Sequence, residues 1–141
     1  MSSNNLLVSI KEFPFHHNIQ TRWKDMDSFG HINNAVYLTY IEDARTSFFK
    51  RWNLKGQSKS VIVASIKIDY ISQIKHPSKL IIGSKISRIG NSSFDILSGI
   101  FADKQNNPAV ISLVTCVCYD YGVNKSVAVY DTIKSDYSSS L

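Results

Sequence analysis

From residue 13 to 23 apolar or aromatic side chains fall on alternate positions: Phe13, Phe15, Ile19 and Trp23. Successive side chains of an extended chain point to opposite faces, so this alternation predicts a strand. Pro14 has no amide hydrogen to give, which places it at the strand's start or at a sheet edge. Asp, Ser and Gly break the pattern between Lys24 and Gly30, a polar turn. The period then changes. Val36, Tyr37, Tyr40, Ile41, Ala44 and Phe48 recur at three- and four-residue steps, leaving Glu42, Asp43, Arg45, Thr46 and Lys50 on other faces. That spacing predicts one helix from about residue 34 to 52, roughly five turns long. Asn33 is placed to cap its start, and Lys50 and Arg51 suit its last turn.

Beyond Gly56 the strand pattern returns. Ile62, Ala64, Ile66, Ile68 and Tyr70 alternate, and residues 80–89, 93–102 and 110–119 follow. The polar connections His76-Pro77-Ser78, Gly90-Asn91-Ser92 and residues 103–108 read as antiparallel hairpin turns. The predicted class is α+β, an antiparallel five-stranded sheet wrapped around one long helix. A single helix covers only one face of such a sheet. The other is left for solvent, ligand or a second subunit, and strands this rich in isoleucine point to a dimer.

Length and composition narrow the functional classes. The chain has 141 residues, enough for one domain with a core that needs no disulfide or metal. Residues 10–135 are read as that core, with the serine-rich end from Ser138 frayed. With 43% hydrophobic and 19% charged residues, wholesale disorder is excluded. No apolar run approaches the ~18 residues of a membrane span, and residues 1–13 lack the basic start and apolar stretch of a secretory signal. The expected location is the cytoplasm. Net charge is +5, but the lysines and arginines are scattered, and only Lys50 and Arg51 adjoin. Without a basic run, nucleic acid is not an expected partner. Cys116 and Cys118 share one strand face and read as small apolar fillers; His16 and His17 point to opposite faces and cannot share a metal. No metal site is expected. A Gly-x-Ser-x-Gly elbow and the Gly-rich nucleotide loops are absent.

The candidate chemistry lies between Arg22 and Tyr37, where two carboxylates and a histidine end a strand just before the long helix. A helix start carries unpaired amides and partial positive charge, which suits a developing oxyanion. A carboxylate facing it can act as general base or nucleophile. Taken alone, Asp25 and Asp27 more simply tie the turn while Asn33 caps the helix.

The run Asp25-x-Asp27-x-x-Gly30-His31-x-Asn33-Asn34-x-x-Tyr37 resembles the signature of the 4-hydroxybenzoyl-CoA thioesterase-like acyl-CoA thioesterases, which have the hotdog fold. The likeness continues through Tyr40, Glu42, Ala44 and Arg45, then in Ile68-Asp69-Tyr70-Ile71 and Ile89-Gly90-Asn91-Ser92-Ser93-Phe94, and covers roughly residues 21–120. It implies an acyl-CoA thioesterase with Asp27 as catalytic carboxylate and the backbone N–H near Asn34 as the oxyanion donor. His31 is implied in a structural or substrate-positioning role, and Glu42 is a lesser second acid. Gly90, Asn91, Ser92 and Ser93 are implied to meet the CoA moiety from a partner subunit. No cofactor is implied beyond CoA as part of the substrate, and the assembly is a homodimer or homotetramer. Two departures stand out. Phe29 occupies a position that is small or polar in many relatives, which would narrow the acyl site. Gly90-Asn91 replaces arginines that hold CoA phosphates in some relatives, so Arg88 or Lys85 becomes the phosphate contact. Two alternatives keep the fold: a thioesterase for acyl-carrier protein, and a non-catalytic acyl-CoA-binding module.

Overall fold

The computed structural model describes residues 9–54 and 58–141. Gly56, read above as the break before the later strands, lies outside them, as do the first eight residues. Five long strands form one antiparallel sheet: β1 (Phe15–Gln20), β2 (Lys59–Tyr70), β3 (Lys79–Ile89), β4 (Ser93–Ala102) and β5 (Val110–Asp120). Their spatial order is β1-β3-β4-β5-β2, so β1 and β2 are the two edges. Pro14 sits immediately before edge strand β1, as its missing amide requires. A two-residue strand, β6 (Lys125–Ser126), pairs with the end of β5.

Helix α1 (Asn34–Phe49) lies across the sheet with Tyr37, Tyr40, Ile41, Ala44 and Phe48 buried beneath it. These are the residues that its helical period predicted, apart from half-buried Val36. The Asn33 side chain accepts a hydrogen bond from the Ala35 amide at 2.9 Å and caps the helix start. The last predicted turn, Lys50–Trp52, tightens to 3-10 geometry and ends at Asn53 in the left-handed conformation. The face of the sheet under α1 carries Leu80, Ile82, Phe94, Ile96, Ile100, Val110, Val114, Cys116 and Cys118, all fully buried. This sheet wrapped around one long helix is the hotdog fold.

Two β-bulges change the alternation read from sequence. One lies between Val63 and Ser65, leaving Ala64 without a partner. Directly paired residues share a face, so Val61 and Val63 lie with Cys118 and Cys116, while Ile66, Ile68 and Tyr70 lie with Val114, Ser112 and Val110. Ile62 and Ala64 therefore do not share the inward row of Ile66 to Tyr70, because one extra residue flips every side chain beyond it. The second bulge, at Ser87, turns Arg88 to the outer face opposite Asp95.

Residues Asp131–Ser139 form a second helix, α2, which the sequence pattern did not predict. Ile133 is fully buried, and the Asp136 carboxylate accepts from Trp52 Nε1 at 2.6 Å and pairs with Arg51 at 3.1 Å. Those tertiary contacts hold a segment whose own composition favours no helix. Among the described residues no helix is long and apolar enough to cross a membrane.

Candidate active site

The segment between β1 and α1 folds back on itself as a tight hairpin. Met26 bridges Ile32, the Asp27 amide donates to the His31 carbonyl at 2.7 Å, and the Gly30 amide donates to the Asp27 carbonyl. Gly30 sits at φ +82°, a conformation that other L-residues adopt only with strain. The hairpin is then tied to residues 74–76: the Ile32 amide donates to Ile74, the His76 amide to Gly30, and His31 bridges Lys75.

The two aspartates divide their labour. Asp25 is 2% exposed and takes a two-pronged hydrogen bond from the Arg22 guanidinium, a third from the Arg22 amide and a 2.6 Å bond from the Tyr40 hydroxyl. Burial alone would raise its carboxyl; the hydrogen bonds from Arg22 and Tyr40 outweigh it and hold the group below the ordinary 3.8. Burial, and then Asp25 itself, push the Tyr40 hydroxyl well above its usual value. All the capacity of Asp25 is spent inside the protein. Its backbone carbonyl also accepts the Asn33 amide at 3.0 Å, joining this cluster to the helix start.

Asp27 is only partly buried. Its Oδ1 accepts the Phe29 amide at 2.9 Å and the His31 amide at 3.2 Å, while Oδ2 has no partner among the described residues. It ties the turn with one oxygen and presents the other. His31 serves the hairpin through its backbone; its ring forms no hydrogen bond among the described residues.

The Asn34 amide opens α1 and donates to nothing among the described residues, as expected at a helix start. Sequence reading passed over what surrounds it. Tyr70, at the end of β2, donates its hydroxyl to the Asn34 carbonyl at 3.0 Å, and its ring lies 5.7 Å from that of Tyr37. Tyr37 in turn accepts the Ile74 amide. Burial raises the Tyr37 hydroxyl, and the negative charge of Asp27 adds to that, which puts the carboxylate within electrostatic reach of the same cluster. A tyrosine at a strand end reads as apolar periodicity, so no local signal distinguished its hydroxyl.

Other candidates lie elsewhere. Glu42 lines a cleft of about 370 Å³ with Gln20, Arg22 and Asp43, between α1 and β1. Arg88 donates to Asp95 through Nε at 2.8 Å and Nη2 at 3.1 Å, and to Ser93 Oγ at 3.0 Å. It braces the turn at residues 90–93, and the Asp95 carboxylate neutralises much of its charge. Gly90 makes this possible, because a Cβ there would stand 2.6 Å from Arg88 Nη1. The Lys85 ammonium rests over the Phe13 ring instead. The turn is further fixed by amides of Cys118 and Val129 donating to Ser92 and Asn91. Burial raises both buried thiols, that of Cys116 to about 12, so neither is a ready nucleophile. Among the described residues no three His, Cys, Asp or Glu side chains converge.

The hotdog sheet here carries a carboxylate on a locked turn that leads into a helix start. The chain belongs to the thioesterase-like superfamily, whose pattern matches residues 21–135. YsmA of Bacillus subtilis, a protein without an assigned activity, is 35% identical over 60% of this chain and 58% of its own length. FadM of Escherichia coli, a long-chain acyl-CoA thioesterase, is 25% identical over 79% of this chain and 87% of its own length. A thioesterase from Thermus thermophilus, solved with coenzyme A and zinc, is 25% identical with a TM-score of 0.78, covering 92% of this chain and 96% of that one.

Proposed function

We propose that this protein hydrolyses acyl-CoA to the free acid and CoA. One observation carries the reading: a carboxylate whose Oδ1 is locked by two turn amides, on the hairpin that leads into the Asn34 amide, with neither Oδ2 nor that amide paired among the described residues. The thioester carbonyl oxygen sits on that amide, where the helix dipole and the N–H stabilise the charge that develops as the carbonyl is attacked. Asp27 Oδ2 either takes the proton of an attacking water or itself attacks the carbonyl carbon. In the first route the tetrahedral intermediate expels the CoA thiolate. In the second the attack expels the CoA thiolate and leaves an acyl-aspartyl anhydride, which water then cleaves to the free acid and the Asp27 carboxylate. The proton ends on the thiol in both. The hydrolytic step on this reading needs only a base, water and an oxyanion site.

A panel of acyl-CoAs of varied chain length and aromaticity, read by thiol release, tests this. Acyl-CoA is expected to react much faster than the matching acyl-pantetheine. Its KM should rise with salt, because phosphate contacts with a basic protein are screened. Equal rates for the two, with faster turnover of an acyl-carrier protein, would move the activity to that carrier. Tight binding with no thiol released would leave only a binding module.

The site belongs to a dimer. Edge strand β2 is twelve residues long, and part of its inward row stays open: Val63 and Ile66 are 40 and 43% exposed. A long apolar edge is a template for pairing with a second copy. Phe29, 81% exposed beside Asp27, also waits for cover. The partner's turn at residues 90–93, braced by Arg88, would meet the CoA moiety. Light scattering is expected to give at least twice the 15.9 kDa chain, and Ile66→Asp to give an inactive monomer. A fully active monomer would remove the shared site.

A further inference from the structure

The amide that receives the oxyanion is only as useful as its direction is fixed, since catalysis by a hydrogen-bond donor depends on its being aimed before the reaction begins. An exposed first turn of a helix is ordinarily the part that frays. Asn33, Asn34 and Ala35 are all exposed here, so packing does not hold them. Beyond the local cap of Asn33 on the Ala35 amide, two hydrogen bonds tie them to the rest of the fold. On one side of the Asn33–Asn34 peptide, the Asn33 amide donates to the Asp25 carbonyl at 3.0 Å, and Asp25 is anchored by Arg22 and Tyr40. On the other side, the Asn34 carbonyl accepts the Tyr70 hydroxyl at 3.0 Å. Tyr70 comes from the end of β2, whose backbone is paired with β5 up to Tyr70 itself, opposite Val110. Its ring leans on Tyr37, one turn further along α1.

We propose that Tyr70 is a positioning residue for thioester hydrolysis: its hydroxyl clamps the first turn of α1 to the sheet and so aims the Asn34 N–H at the oxyanion. The inference rests on the hydrolase reading above. The Asp25 cluster alone leaves the helix start hinged on the hairpin; the Tyr70 bond supplies the second point. Tyr70 touches neither Asp27 nor the reacting atoms by any bond among the described residues. Its contribution should therefore appear in the transition state and be absent from ground-state binding.

Tyr70→Phe removes only the hydroxyl and keeps the ring against Tyr37. Deleting an oxyanion donor costs on the order of 10²–10³ in kcat, and loosening one should cost less, about tenfold. With the acyl-CoA that wild type turns over best, kcat is expected to fall about tenfold while KM stays within about twofold. The midpoint of the acid limb of the pH–rate profile should stay in place, because the carboxylate is untouched. Hydrogen exchange should accelerate at least about threefold in the peptide spanning residues 33–38 and not in that spanning 26–32. A kcat within twofold of wild type overturns the proposal. So does a loss shared with KM and with the thermal midpoint, which would mark Tyr70 as a packing residue. If wild type releases no thiol from any acyl-CoA, the hydrolase reading fails by itself. The exchange measurement then still decides the clamp, and unchanged exchange at residues 33–38 overturns it.

Discussion

Asp27→Asn is expected to lower kcat for acyl-CoA hydrolysis by about 10²–10⁴-fold, the usual cost of a lost general base, and to leave the protein folded. Asn retains Oδ1, which accepts the Phe29 and His31 amides and closes the turn, so the hairpin persists. The free side of the group changes from a carboxylate oxygen to an amide nitrogen, which can neither accept a proton from water nor attack a carbonyl. The comparison is made by thiol release under single-substrate saturation, with the thermal midpoint recorded beside it. A folded variant working within about threefold of wild type would place the base elsewhere. Asp27→Ala should be worse in a second way, because it also strips the turn of its acceptor and exposes two amides.

The same change at the neighbouring acid should act on stability. Asp25→Ala removes the acceptor of the Tyr40 hydroxyl, and Tyr40 is 3% exposed. A buried hydroxyl left unpaired costs about 1–3 kcal/mol, and breaking a buried ion pair adds to it. The Arg22 side chain is 55% exposed and returns to solvent, so its share is small. A loss of about 2–3 kcal/mol corresponds to a fall of roughly 6–12 °C in the thermal midpoint of a domain this size. Thermal unfolding by circular dichroism reads it, and a fall under about 2 °C would contradict the assignment. The pH dependence has a definite sign. The Asp25 carboxyl is held below its unfolded value despite burial, so its contribution is complete at neutral pH and is lost only as pH falls through the acid range below 3.8. Wild type and variant should therefore converge in strong acid.

These two aspartates show how far local reading goes. Asp25 and Asp27 stand two residues apart in the same polar turn, and resemblance alone gave Asp27 the chemical role. Among the described residues Asp27 Oδ2 has no partner, whereas both carboxylate oxygens of Asp25 are bonded by Arg22 and Tyr40. Tyr40 lies 15 residues away, and no spacing rule connects it to Asp25 in advance. Arg88 is the converse case. As a sequence it is a free cation near a turn. The bulge at Ser87 swings it to the face of Asp95, which makes it a brace for that turn.

The sequence by itself determined the five long strands, the long helix and their order, the cap at Asn33, the buried stripe of α1 and the segment that holds the candidate site. Those features depend on periodicity and on contacts within a few residues, where chain geometry leaves few choices. Only the tertiary structure decided which strands are edges, where the bulges reverse a face, and that the last residues form a helix held by Trp52 and Arg51. It also decided which carboxylate is free and which tyrosine holds the helix start. These depend on partners outside the local segment, from 7 residues away for Arg88 and Asp95 to 84 for Trp52 and Asp136, and the pattern of a single strand or turn contains no record of what will face it.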